Sequence, residues 1–134
     1  LAGTRLCPNV PAQHAIQVAL GGRQSIYDYT NEHGRLTKQR NTTWQKLNEI
    51  PGISCVKPMG ALYAFPKLDL EYYDIHDDSQ LMLDLLRSEK ILLVQGTGFN
   101  WPHPDHFRVV TLPWASELAE AIERLGNFLS GYKQ

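Results

Sequence analysis

The sequence predicts an α+β domain: a small, mostly antiparallel sheet covered by helices, with further helices leading into it. Three observations carry that expectation. The strand-like stretches, rich in β-branched and aromatic residues, all fall after Gly52. Two apolar stripes at helical spacing stand between and behind them, one made of Leu81, Met82, Leu85 and Leu86, the other of Leu118, Ile122, Leu125 and Leu129. The resulting order, two leading helices and then β-β-α-β-β-α, suits a sheet with helices laid on it.

Asn9 offers an N-cap for the first helix, with Pro11 in its first turn. Val10, Ile16, Ala19 and Leu20 give this helix an apolar side, and Gly21-Gly22 stops it. A polar connection follows. Gly34 to Glu49 carries Leu36, Trp44 and Leu47 at helical spacings around a polar middle, and Pro51-Gly52 ends the pattern. "ISCVK" (residues 53–57) and "ALYAFPKL" (61–68) read as strands joined by Pro58-Met59-Gly60, a hairpin signal. Asp77, Asp78 and Ser79 then supply N-caps for the helix of the first stripe. "ILLVQG" (91–96) reads as a buried strand, "FRVVTL" (107–112) as a fourth, and Ser116 opens the last helix. The first helix is the misfit. A polar segment separates it from the strand-bearing part, so its apolar side is expected to pack on a missing or partner surface. Residues 1–30 should be loosely held, and residues 52–131 should form the stable unit.

Composition narrows the function. With 134 residues, 43% of them hydrophobic, the chain has the size and apolar content of one globular domain. The net charge is -1, with Lys and Arg scattered along the chain, so there is no electrostatic footprint for nucleic acid or an anionic membrane. No run approaches the roughly 18 apolar residues of a membrane span, and no signal segment opens the chain, so a cytoplasmic location is expected. Cys7 and Cys55 lack CxxC spacing and read as reduced packing residues. The first residue is Leu in an apolar stretch, which suggests a fragment of a longer chain.

Most candidate motifs fall away on chemistry. Gly96-Thr97-Gly98 follows a strand as a phosphate loop would, but no third glycine, following helix or Gly-Lys-Ser/Thr ending accompanies it, so it reads as a tight turn. His103 and His106 lie in a proline-broken loop that would not aim both rings at one metal ion. Asp74, His76, Asp77 and Asp78 read as a solvated turn capping a helix. No GxSxG is present, and Ser54-Cys55 has no visible base. Trp101 and Trp114 flank Arg108 in sequence and read as core or cleft walls.

Arg108 survives this culling. A guanidinium keeps its charge in a protein and presents paired planar donors that match a carboxylate, so an arginine between Phe107 and Val109 implies an anion nearby. That anion is either an Asp or Glu of the same fold or a carboxylate ligand; a third possibility puts the arginine on the strand's solvated side.

"LCPNVPAQHAIQVALGG", "PGISCVKPMGALYAFPKLD", "ILLVQGTGFNWPHPDHFRVVTLP" and "FLSGYKQ" together resemble the C-terminal part of fold type I (class I) pyridoxal-phosphate aminotransferases, and among these the bacterial alanine aminotransferase group. The likeness runs along nearly the whole chain. "GALYAFP", the "GTGF" turn and the arginine of "FRVVTLP" occur in the family's order and approximate spacing, which is more specific than any one of them. Trp114 departs from it, since close relatives often carry a basic residue there.

The resemblance implies that Arg108 binds the α-carboxylate of an amino-acid substrate and that the turn Gly96 to Phe99 lies by the active-site cleft, with Phe99 as a second substrate-binding residue. It implies residues 1–30 as a remnant of the large cofactor-binding domain, with its last helix at about 8–22. Residues 31–134 are then the small domain, including the connecting helix at about 34–49. The implied reaction moves an amino group between an amino acid such as alanine and a 2-oxo acid such as 2-oxoglutarate, in a full-length enzyme that is a homodimer and binds pyridoxal 5'-phosphate. The cofactor's chemistry needs a Schiff-base lysine and an acidic partner for its ring nitrogen. None of the six lysines here, at 38, 46, 57, 67, 90 and 133, stands in the family's Ser-x-x-Lys context. This chain alone is therefore expected to bind no cofactor and to be catalytically silent. The competing expectation is a non-enzymatic carboxylate-binding or regulatory domain descended from the same fold.

Overall fold

The computed structural model of the protein describes residues 7–134. Helix α1 (Val10–Gly21) starts where expected, with the Asn9 side chain accepting from the Ala12 N–H at 3.2 Å. None of its residues is buried. The polar connection contains a short helix that the sequence reading missed, α2 (Ile26–Thr30); its one turn has no apolar periodicity to betray it. Helix α3 (Arg35–Glu49) follows, entered through Gly34, where an added Cβ would lie 2.3 Å from the Tyr29 carbonyl oxygen.

One side of the polar middle of α3 is buried. Gln39 and Thr43 are buried, and Gln39 Nε2 donates to the Leu112 carbonyl at 3.0 Å. Trp44 Nε1 donates to the Cys55 carbonyl at 3.0 Å, while Asn48 Oδ1 accepts from the Cys55 N–H at 2.9 Å. This helix is attached to the chain beside it by hydrogen bonds as well as by Leu47.

The strands are shorter than expected: β1 (Ile53–Ser54), β2 (Tyr63–Ala64), β3 (Lys67–Leu68), β4 (Val94–Gln95) and β5 (Phe107–Val110). β1 pairs with β3, and β2, β5 and β4 lie side by side in that order, all antiparallel. The expected strand 61–68 is split in two at Phe65-Pro66. The cause is chemical, since proline has no N–H to give to a ladder. The register nevertheless carries through: Tyr63 pairs with Val110, Ala64 with Val109, and Lys67 bridges to His106. The expected hairpin is open, because β1 meets only the far end of that run, Ile53 opposite Leu68 and Ser54 opposite Lys67.

Helix α4 (Asp78–Glu89) is capped by Asp77, which accepts from the N–H groups of Ser79 and Gln80. Helix α5 (Ala115–Gly131) begins one residue before Ser116, with the Glu117 carboxylate accepting from the Trp114 N–H at 2.9 Å. Its stripe of Leu118, Ile122, Leu125 and Leu129 is buried as expected. The core forms where Ile122, Leu125 and Leu129 meet Leu47, Leu81, Leu85, Leu68, Phe107 and Val109. Cys55 belongs to it, and burial pushes its thiol pKa up, which suits an inert packing residue. Cys7 does not fit its expected packing role: it is exposed. Among the described residues, no helix is long and apolar enough to cross a membrane.

Candidate functional site

Strand alternation settles where Arg108 goes. Along β5 the burial runs buried, half-buried, buried, half-buried, so Phe107 and Val109 enter the core while Arg108 and Val110 take the other face. The run beside it alternates likewise, with Ala64, Pro66 and Leu68 buried and Tyr63, Phe65 and Lys67 exposed. The outer face therefore collects Tyr63, Phe65, Lys67, His106 and Arg108. A charged residue stands in an apolar run because only every second residue of the run is in the core.

The guanidinium has aromatic neighbours and no carboxylate. Its central carbon lies 4.8 Å from the Tyr63 ring centroid and 4.7 Å from that of Phe99. Ring faces attract such a cation without using its N–H groups. None of the ion pairs among the described residues involves Arg108, so the expected internal Asp or Glu partner is not found there. Its Nε is buried without a hydrogen-bond acceptor. A buried donor left unpaired costs about 1–3 kcal/mol, so the group is suited to an acceptor arriving from outside. Arg108 also lines a cavity of about 200 Å³ against α5, whose other walls, Ile91, Leu93, Pro113 and Leu118 among them, are apolar. That cavity offers no second polar group and does not extend the site's chemistry.

The two residues expected at the site, Arg108 and Phe99, are thus brought together. Tyr63 was missed, although the alternation of "ALYAF" placed it one position from a buried alanine. Next to Phe99 an aromatic group closes the face: Phe65 packs edge-on to Phe99 and Trp101, and stacks on His106 with centroids 4.9 Å apart. Trp101 belongs to this aromatic group and is 40% exposed, so it is not a core residue. Trp114 is elsewhere, exposed, with the Arg35 guanidinium over its ring. His103 is exposed and outside this group.

Two buried carboxylates hold the face, and sequence reading singled out neither for this role. Asp105 Oδ1 accepts from Trp101 Nε1 at 2.8 Å and lies 2.7 Å from His106 Nδ1. Burial acts to raise its pKa, but these hydrogen bonds and the charges of His106 and Lys67 outweigh it and hold the carboxyl below its ordinary value. Asp78, expected in a solvated turn, is only 3% exposed. It accepts from the Thr97 N–H at 3.0 Å and from the Thr97 hydroxyl at 2.7 Å. Thr97–Phe99 forms a single 3-10 turn, so the expected tight turn is present. Its first anchor is Gly96, whose N–H donates to the His106 carbonyl at 2.8 Å and whose added Cβ would lie 2.7 Å from that oxygen.

Comparison with known proteins gives the family. Residues 3–125 match the family described as "Aminotransferase class I and II". The chain is 73% identical over 134 residues to an alanine aminotransferase of Mycobacterium tuberculosis, covering all of this chain and 31% of that protein. It is 59% identical to the glutamate-pyruvate aminotransferase AlaA of Escherichia coli, again over all of this chain and 33% of the other. The solved structure of an Escherichia coli aminotransferase superposes with a TM-score of 0.87 at 59% identity, over 99% of this chain and 33% of that one. Alanine aminotransferase from Pyrococcus furiosus gives a TM-score of 0.79 at 39% identity, over 98% and 32%. The chain spans about a third of the length of the curated relatives it matches. The α+β arrangement with its small antiparallel sheets is that of fold type I aminotransferases, and the chain belongs to the class I and II aminotransferase family.

Proposed function

We propose that this chain is the small-domain part of a pyridoxal-phosphate aminotransferase and that Arg108 binds the α-carboxylate of its amino-acid substrate, with Phe99 and Tyr63 flanking the guanidinium. The observation that carries the reading is the state of Arg108: aromatic on its flanks, without an ion-pair partner among the described residues, and with a buried Nε lacking an acceptor. The names of the relatives, alanine aminotransferase and glutamate-pyruvate aminotransferase, support alanine as the amino donor and 2-oxoglutarate as the acceptor, leaving as pyruvate and glutamate.

When bound, pyridoxal phosphate supplies the electron sink for the reaction. The described residues do not fit it. Lys46 is ion-paired to Glu49, Lys57 lies over the Trp44 ring, Lys90 donates to the Arg87 carbonyl, and Lys38, Lys67 and Lys133 are exposed, so no lysine sits in the desolvated setting that a Schiff base needs. We assign the cofactor to the rest of a longer enzyme. In this reading residues 1–30 belong with the large domain and 31–134 form the small one, within a homodimer. Arg108 contributes by position: gripping the carboxylate through two parallel hydrogen bonds fixes the direction of the Cα–H bond.

The test is Arg108→Ala in the full-length aminotransferase. Losing charge-assisted bonds worth about 1.5–3 kcal/mol each should lower kcat/KM for alanine by roughly one to four powers of ten. Arg108→Lys restores charge without the planar grip and should fall between the two. Lowered melting temperature with unchanged kcat/KM would overturn the assignment.

A further inference from the structure

We propose that Asp78 is a positioning residue for the Arg108 site: its buried carboxylate holds the Gly96–Phe99 turn where the Phe99 ring meets the guanidinium. A carboxylate 3% exposed is costly unless its charge is matched by donors. Here both oxygens are used, Oδ2 by the Thr97 N–H and Oδ1 by the Thr97 hydroxyl. As the first residue of α4, Asp78 also lies at the helix end where backbone N–H groups favour negative charge.

The helix does not need Asp78 as a cap. Asp77 already accepts from the Ser79 and Gln80 N–H groups at 2.9 and 3.0 Å, and its side chain is turned to that task alone among the described hydrogen bonds. What Asp78 adds is a link between α4 and a turn 19 residues further on. Only two fixed points precede Phe99 in that turn. One is Gly96, pressed against the His106 carbonyl; the other is Thr97, held by Asp78. The turn itself is a single 3-10 coil with the Phe99 N–H returned to the Gly96 carbonyl at 2.9 Å, so these two points set how the turn enters the face, where Phe65 meets the Phe99 ring edge-on and Trp101 is tied to Asp105 beyond it. Removing the Thr97 anchor frees the turn to rotate about Gly96 and carries Phe99 away from Arg108.

The kinetic part of the proposal rests on the reading of Arg108 as the carboxylate ligand; the structural part does not. Two readouts keep them apart. The first is the Arg108 Nε–H resonance in the ¹⁵N-labelled full chain, which the nearby Phe99 ring shifts. The second is the split between KM and kcat for alanine in the full-length enzyme. Asp78→Asn removes the charge and turns one of the two acceptors on Thr97 into an amide donor, and should move the resonance, raise KM about tenfold and leave kcat within about threefold. Thr97→Val, which removes one bond from an exposed side chain and leaves the core alone, should act in the same direction more weakly. Thr97→Ser keeps the hydroxyl and should restore both readouts. If Asp78→Asn unfolds the protein, Thr97→Val decides. An unmoved resonance and an unchanged KM, whatever the loss in melting temperature, would reduce Asp78 to a structural residue and overturn the proposal. A moved resonance with KM insensitive to both Asp78→Asn and Arg108→Ala would sustain the positioning role and sink the carboxylate reading instead.

Discussion

Helices α1 and α5 are built from similar local instructions and end in opposite circumstances. Each has a capped start: Asn9 bonds the first turn of α1, and Glu117 bonds back to the residue before α5. Each also carries apolar side chains. Those of α5 vanish into the core, whereas in α1 Val10, Ile16, Val18 and Leu20 are 51–79% exposed. The difference shows that capping and propensity start a helix, while tertiary burial decides whether it is held. Exposed Val, Ile and Leu forgo about 1.5–3 kcal/mol each relative to full burial, so α1 presents a face suited to covering by another surface.

Hydrogen exchange should show the contrast at its largest. Amides in the middle of α5 and in β5 should exchange only through global unfolding, whose free energy for a domain of this size is about 5–15 kcal/mol, while those of α1 should exchange with little protection. Equal protection in both would break the comparison and require that α1 be packed, by self-association if by nothing in the chain.

Core truncation comes next in size. Phe107 is 1% exposed, and Phe107→Ala should cost about 3–5 kcal/mol in denaturant unfolding, from lost burial and the cavity left behind. Val18 is 79% exposed, and Val18→Ala should change stability by no more than about 0.5 kcal/mol. A cost above 2 kcal/mol for Val18→Ala would remove the distinction between the two regions.

What could be read from the sequence follows the same division. The apolar stripes of α4 and α5 and the cap at Asn9 were legible because period and local chemistry suffice to specify them. Arg108 stood out because a charge in an apolar run is informative, and the resemblance gave it and Phe99 one site. Three features were not legible. The split at Pro66 depends on which partner the missing N–H faces, and the shallow pairing of β1 depends on where that run ends. Asp78 and Asp105 look like ordinary surface carboxylates in sequence, since only tertiary contact buries them. Tyr63 could have been found from strand alternation once the direction of Arg108 was known.

Acid should weaken the strand-bearing part selectively. The folded pKa of Asp105 is below its unfolded value of about 3.9, so its ionised form is the one favoured in the folded state. The stability this gives is fully present above that unfolded value and is lost as pH falls through the folded one. Asp105→Asn should therefore flatten the acid limb of a stability–pH curve below about pH 4. Helix α1 contains no acidic residue, so carboxylate titration has no direct route to it. An acid limb as steep in Asp105→Asn as in the parent would show that other carboxylates carry the effect.

The smallest test separates local from global stability inside α1 itself. Gly21 is the last residue of this helix, its φ is not positive, and an added Cβ would meet nothing within 4 Å. Gly21→Ala should therefore favour the helical state locally by up to about 1 kcal/mol, through reduced freedom of the unhelical chain. If α1 is not held by the core, that gain stays local: helicity by far-ultraviolet circular dichroism rises slightly while the melting temperature of the strand-bearing part does not move. Ala61→Gly is the matching change on the other side. Ala61 has φ 56° at the entry to the run that carries Tyr63, and relieving this left-handed strain should raise the melting temperature in a region whose local and global stability are one. Should Gly21→Ala raise the melting temperature as well, α1 would be thermodynamically coupled to the core despite its exposed face, and the contrast between the two helices would be one of burial alone.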